Sequence, residues 1–224
     1  MAKVIIFGVK DFASLAHFYL KEDSEHEVVA FSVHSDYLPK EGTFAGLPVV
    51  AFEEIEKAFP PQSHRFFAPM SQRQMNQARE AIYNEIKRKG YLCISYVSTK
   101  TSSFSNVEIG ENCFILEDNT LQPFTRVGNN VMMWSGNHIG HHTIIKDHVF
   151  ITSHVVLSGH CLVKSHCFFG VNSSIKNGLK IAEGCFIAMG STVTRDTMAW
   201  RVYRGNPAKM VELSSEDLNW ETAK

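Results

Sequence analysis

Every sixth residue from Ile109 to Val193 is large and apolar, and this period constrains the chain more than any other feature. The series is Ile109, Ile115, Leu121, Val127, Met133, Ile139, Ile145, Ile151, Leu157, Val163, Phe169, Ile175, Ile181, Ile187 and Val193, fifteen positions without a miss. With roughly 45% of residues apolar in an ordinary chain, such a run has a chance on the order of 10⁻⁵ in one frame, so chance is a poor account of it. An α-helix, with its period near 3.6, cannot keep these positions on one face. Four residues after each of them lies a second column, Cys113, Asn119, Thr125, Val131, Asn137, Thr143, Val149, Val155, Cys161, Cys167, Ser173, Leu179, Cys185 and Ser191, nearly all small. One large and one small inward residue per step is what a narrow coil can hold. Three steps close a triangular coil of eighteen residues, and coils stack through parallel backbone ladders. A single coil cannot bury its apolar side, so the stack is the folding unit.

A third column, three residues after each apolar position, reads Asn112, Asp118, Phe124, Asn130, Gly136, His142, His148, His154, His160, His166, Asn172, Gly178, Gly184 and Gly190. Gly, Asn, Asp and His tolerate positive φ, which predicts corners in the left-handed conformation. Residues 1–95 read differently. Strands are expected at Val4–Phe7 and Glu27–Val33, with helical spacing over Asp11–Lys21. The alternation continues through Leu47–Val50, Phe52–Phe59, Arg65–Ala68, Met75–Arg88 and Tyr91–Ser95, the pattern of a small βαβ domain with a parallel sheet. The first turn, Phe7 to Ala13, carries only Gly8 of the three glycines that dinucleotide binding needs. A strand running straight into a helix N-terminus still offers N–H groups to a phosphate, and Lys10 adds charge.

Composition narrows the function classes. Lys and Arg number 22 against 23 Asp and Glu, so nothing points to nucleic acid. Five cysteines without a Cys-x-x-Cys pair argue against a disulfide framework or a cysteine zinc site. The apolar stretch Val4–Val9 is too short to cross a bilayer. The expectation is a chain without leader or membrane span, in a reducing cytoplasm.

The segments Val127-Gly128-Asn129-Asn130-Val131 and Ile109-Gly110-Glu111-Asn112-Cys113 resemble the hexapeptide repeats of a large transferase family, over residues 97–195. That resemblance implies the left-handed sense of the coil. It implies three regions: an α/β (βαβ) nucleotide-sugar-binding domain at 1–95, a left-handed parallel β-helix at 96–198, and a tail at 199–224 contributing to a CoA site. A βαβ domain before such a helix is similar to the bacterial acyltransferases that acetylate nucleotide-linked 4-amino sugars (the bacillosamine and perosamine pathway type), and to sialic acid O-acetyltransferases. It implies a homotrimer, acetyl-CoA as co-substrate, no metal, and a role in surface-glycan (lipopolysaccharide and O-antigen) synthesis.

The same resemblance assigns roles. Asn137-His138-Ile139-Gly140-His141-His142-Thr143 is similar to the segment carrying the family's catalytic histidine, which implies His141 as general base. Relatives place an acid beside it, where this chain has His142. Eighteen residues on, the period stacks Gly159 above His141, and the family implies its N–H as the thioester-oxygen donor. Gly170, Asn172, Ala188 and Gly190 fall on later coils, where the cofactor lies in relatives. Arg204-Gly205-Asn206-Pro207-Ala208-Lys209 resembles the ending that lines the CoA site, with Arg204, Lys209 and Arg201 available to phosphates. Gly8, Lys10 and Asp36 sit where the nucleotide-binding residues would fall. The four cysteines of the small inward column are expected to be core. Three rivals remain. A hydroxyl acceptor would use the same base. The γ-carbonic anhydrases share the fold, but no two histidines between 138 and 166 show their five-residue ligand spacing. A non-catalytic scaffold would bind no acetyl-CoA.

Overall fold

A computed structural model describes residues 1–218. The N-terminal part comprises β1 (Lys3–Phe7), α1 (Asp11–Glu22), β2 (Glu27–Val33), β3 (Thr43–Phe44), β4 (Leu47–Ala51), α2 (Ile55–Ala58), β5 (His64–Phe67), α3 (Gln77–Arg88) and β6 (Leu92–Cys93). They form one sheet in the order β3-β4-β2-β1-β5-β6. Its pairs are parallel except β3–β4, an antiparallel hairpin the sequence did not announce. Ala45 and Gly46 turn that hairpin with φ of 49° and 79°, as a tight two-residue turn requires. Alanine is an unusual first residue there, which hid the signal.

From Tyr96 onward the chain winds through two-residue strands whose partners lie eighteen residues apart, such as Phe114 with Met132, Thr120 with His138 and Arg126 with Ile144. Three parallel sheets result, forming the faces of a triangular prism. All fourteen predicted corner residues have positive φ, from 55° at Asn112 to 78° at Gly136. The inward columns are buried together, and the six-residue period is thereby accounted for. The corners form three edges. Asp118, Gly136, His154, Asn172 and Gly190 separate the first and second faces. Phe124, His142, His160 and Gly178 separate the second and third. Asn112, Asn130, His148, His166 and Gly184 separate the third and first. The segments Arg201–Arg204 and Lys209–Ser214 make an antiparallel hairpin that extends the first face.

The N-terminal domain covers that first face. Phe114, Met132, Phe150 and Phe168 point outward from it and are buried against Val4, Ala16, Leu20, Phe67 and Met75. Each buried phenylalanine contributes roughly 1.5–3 kcal/mol. At one side, the Asp23 carboxylate accepts from the Tyr96 and Ser98 hydroxyls at 2.7 and 3.1 Å and from the Thr99 N–H at 2.9 Å. At the other side, α3 lies along the third–first edge. The alternation in the sequence puts the start of this segment at Met75, but Gln74, Met75 and Asn76 all have positive φ. This turn aims the buried Asn76 amide at the carbonyls of His166 and Cys167, at 3.2 and 3.3 Å. Arg79, with no exposed surface, donates to the carbonyls of Asn130, His148 and Val149. Glu80 faces the Nε2 atoms of His148 (3.4 Å) and His166 (3.0 Å).

A hydrogen-bonded ladder runs up this edge and fixes a proton. The Ala68 N–H donates to Asn112 Oδ1, the Asn112 amide donates to Asn130 Oδ1, and the Asn130 amide meets His148 Nδ1 at 2.9 Å. His148 Nδ1 is therefore an acceptor, and its proton sits on Nε2, toward Glu80. Burial first, then His166 and Arg79, pull His148 below the ordinary imidazole value, against the opposing pull of Glu80 and Asp147.

Two predictions follow from this junction. Arg79→Ala strands the buried carbonyls of Asn130 and His148, while Val149 O keeps the Met132 N–H. At about 1–3 kcal/mol for each stranded carbonyl, urea unfolding should show a loss of about 2 kcal/mol or more; an unchanged midpoint would refute the account. Because the folded state holds His148 neutral, its stability contribution is complete above pH ~6.5 and declines as pH falls below that value. Thermal melts from pH ~7.5 to ~5 should show this slope, and His148→Asn should flatten it.

Candidate active site

The second–third edge carries three exposed histidines, His141, His142 and His160. His141 precedes the corner residue His142 because Gly140, with no side chain, lets the next coil's backbone at Gly159 come close. The His141 N–H donates to Gln122 Oε1 at 2.9 Å. The His142 ring is stacked between Phe124 (4.5 Å, 28°) and His160 (4.8 Å, 14°), as an eighteen-residue repeat dictates. The His141 ring stands perpendicular to both imidazoles. Its Nδ1 lies 3.1 Å from His142 Nδ1. A lone pair on His141 Nε2 requires the proton on Nδ1, where His142 Nδ1 can accept it. Desolvation, then His160 and His141, lower the pKa of His142, which favours its neutral, accepting form. No carboxylate is bonded to the His141 ring among the described residues.

His141 Nε2 lies over Gly159. A β-carbon on Gly159 would sit 2.8 Å from that nitrogen. The Asn177 amide donates to the Gly159 carbonyl at 2.8 Å and accepts from the Gly178 N–H at 3.3 Å. The Gly159 N–H has no acceptor among the described residues, so it stays free to donate beside the imidazole. Cys113, Cys161, Cys167 and Cys185 are buried and free. Burial raises the Cys113 thiol to about 11 and also raises Cys161, so neither is poised as a nucleophile.

A cavity of about 460 Å³ opens in the N-terminal domain beyond the carboxyl ends of β1, β2 and β5. There the chain leaves β1 for β2 on one side and returns to β5 on the other, the place where open α/β sheets bind ligands. Gly8 (φ 119°) and Lys10 line the cavity with the first turn of α1. Asp36 does not. The short 3₁₀ turn Ser35–Tyr37 presents His34 and Tyr37 to the cavity and leaves Asp36 exposed outside it. Met70, Ser71 and Arg73, which follow β5, complete the wall; the sequence reading missed them, although a strand end at a switch point was the available signal.

The later-coil residues gather on another edge. Gly190 donates to Val171 O, Ala188 to Tyr203 O and Ala208 to Thr192 O, which joins them to the hairpin where Arg204 pairs with Lys209. Asn172 and Gly190 are exposed corners there. Gly170 is buried, and a β-carbon on it would meet Met189 N at 2.5 Å. Its small size serves the approach of the next coil. These residues lie at the first–second edge, one prism face away from His141. The sequence reading expected no metal. Two donor groups nevertheless converge among the described residues, His141–His142–His160 and Glu80–His148–His166.

The hexapeptide repeat of succinyl-transferase family matches residues 165–195. The chain folds as a left-handed parallel β-helix of six-residue repeats behind an N-terminal α/β domain. Its fold is that of perosamine N-acetyltransferase from Caulobacter crescentus, solved with CoA and GDP-perosamine (TM-score 0.82, 18% identity, 94% of this chain and 97% of that one). It is similarly close to the acetyltransferase domain of PglB from Neisseria gonorrhoeae FA1090 in complex with acetyl coenzyme A (0.79, 15%, 93% and 98%). WeeI from Acinetobacter baumannii AYE also superimposes (0.78, 21%, 94% and 100%). In sequence, the acyl-[acyl-carrier-protein]–UDP-N-acetylglucosamine O-acyltransferase of Campylobacter jejuni subsp. doylei is 39% identical over 125 residues, 53% of this chain. The chain spans about half (48%) of the length of that relative.

Gly159→Ala tests the packing of the imidazole. The added methyl group should push the His141 ring aside, changing its ¹⁵N imidazole signals while those of His154, on another edge, stay unchanged. An undisturbed His141 spectrum would contradict the geometry.

Proposed function

We propose that this protein transfers the acetyl group of acetyl-CoA to the amine of a nucleotide-linked amino sugar, a 4-amino-4,6-dideoxy sugar, for bacterial surface-glycan synthesis. The observation that carries the reading is His141 Nε2 standing over Gly159, whose N–H is free. The amine lone pair attacks the thioester carbonyl carbon, and the developing oxyanion takes the Gly159 N–H. His141 Nε2 removes the amine proton. The carbon–sulfur bond then breaks, CoA leaves as the thiolate, and the proton on His141 neutralises it. A base of this kind contributes roughly 10²–10⁴-fold, and an oxyanion donor roughly 10²–10³-fold. Neutral His142, replacing the acid of relatives, orients His141 through Nδ1. The cavity holding Gly8 and Lys10 receives the nucleotide, with the N-terminus of α1 facing its phosphates and Arg73 in the cavity wall.

Asn172, Ala188, Gly190, Arg204 and Lys209 form the CoA edge in this reading. Because it lies on a different prism edge from His141, one chain holds two half-sites. A neighbouring copy would bring His141 to the CoA edge of the first, and threefold repetition gives a homotrimer. The fold neighbours solved with CoA and GDP-perosamine support this assignment. No helix among the described residues is long and apolar enough to cross a membrane, in keeping with a cytoplasmic enzyme. A second reading, O-acylation of a nucleotide sugar, is favoured by the UDP-N-acetylglucosamine O-acyltransferases that match in sequence.

The test is a panel of UDP-, dTDP- and GDP-linked amino sugars incubated with acetyl-CoA and followed by mass, with His141→Ala alongside. One panel member should gain a single acetyl group, stable to mild alkali, and His141→Ala should slow this roughly 10²–10⁴-fold. An alkali-labile product would replace the amine with a hydroxyl. No product from any member would refute the amino-sugar reading.

A further inference from the structure

We infer that His141, His142 and His160 together form a binding site for a divalent transition-metal ion of the zinc type. The site follows from the coil period. His142 and His160 occupy the same corner one coil apart, and both are left-handed, with φ of 57°. Their rings are therefore nearly parallel, 14° apart, and present matching edges to the same side. His141, adjacent in sequence, places its ring at right angles to the pair and closes the third side. One nitrogen from each ring lies within 4.8 Å of the others.

The spacing suits the ion. Zinc–imidazole bonds of about 2.0–2.1 Å in a tetrahedron separate donors by roughly 3.3–3.4 Å. The Nδ1 atoms of His141 and His142 already stand 3.1 Å apart. His160 is an exposed side chain and can close the remaining gap by rotation. Three imidazoles with a solvent-facing fourth position suit Zn²⁺, Co²⁺, Ni²⁺ or Cu²⁺. Mg²⁺ and Ca²⁺ prefer oxygen donors and are disfavoured.

The second donor group, Glu80–His148–His166, is less suited to the role. The ladder from Ala68 through Asn112 and Asn130 puts the His148 proton on Nε2, the atom facing Glu80. That nitrogen has no lone pair to give without reversing a chain of buried amides. The exposed trio carries no such constraint.

One consequence rests on the acyl-transfer reading. An ion on His141 Nδ1 leaves the ring's only proton on Nε2, so no lone pair faces Gly159. The ion would then be an inhibitor of transfer, and zinc would suppress turnover in competition with the productive tautomer.

The test uses the full chain, stripped with chelator and titrated with ZnCl₂ by calorimetry, beside His142→Gln, His160→Gln and the other-edge control His154→Gln. The wild type and His154→Gln should bind one ion per chain with equal affinity. Affinity should fall at least tenfold in His142→Gln and in His160→Gln, and Co²⁺ loading should give a tetrahedral visible spectrum only where zinc binds. No uptake by the wild type, or uptake unaffected by both substitutions, overturns the site. Transfer assays separate the two claims. Zinc binding without any transfer activity would refute the acyl-transfer reading alone. Transfer with no zinc uptake would refute the metal site alone.

Discussion

Backbone pairing between residues eighteen apart carries this molecule. Strand N–H groups donate to the coil above, as in Gly140 to Leu157 O and Ser158 to Ile175 O, corner N–H groups donate to the coil below, as in His160 to His141 O, and only two residues of strand lie between corners. Such short strands have no stability alone. They persist because every coil buries its inward residues between two others. The corners must then fall at left-handed residues, and anything placed at one position is repeated directly above itself. The parallel stack of Phe150, Phe168 and Phe186 and that of Phe124, His142 and His160 are products of the same registration.

That registration divides the labour among the prism's surfaces. The first face is aromatic and is spent on holding the N-terminal domain. The third–first edge reads α3 through Arg79, Asn76 and Glu80, whose partners are backbone carbonyls and corner imidazoles. The second–third edge, by contrast, exposes its imidazoles. Corner histidines that look alike in the sequence therefore have opposite fates. His148 is buried and held neutral within a ladder of amides, whereas His142 and His160 face solvent beside His141.

Several residues show where sequence reasoning stopped. Gly159 is legible as the residue one coil above His141 because arithmetic places it there, and the imidazole does pack against it. Gly170 falls on a coil where the cofactor lies in relatives, and the structure adds that its missing side chain is matched by the backbone of the following coil. Smallness alone does not say what fills the space. The resemblance puts Asp36 among the nucleotide-binding positions, yet a single 3₁₀ turn directs His34 and Tyr37 inward and leaves Asp36 outside the cavity. Arg73 and the segment after β5 carried no motif. They reach the cavity only because β5 returns beside β1 in the sheet.

The sequence by itself determined the repeat, its corners, its inward columns and the stacking of His141 beneath Gly159, because a periodic fold turns spacing directly into position. It also determined that an α/β unit precedes the helix. The tertiary structure decided which face that unit covers, which corner histidines are buried, where the cavity of the N-terminal domain opens, and that His141 and the later-coil residues lie on different edges. Those outcomes depend on contacts between segments of unrelated period, α3 on a corner column and α1 on an aromatic face, and no spacing within either segment encodes where the other will dock.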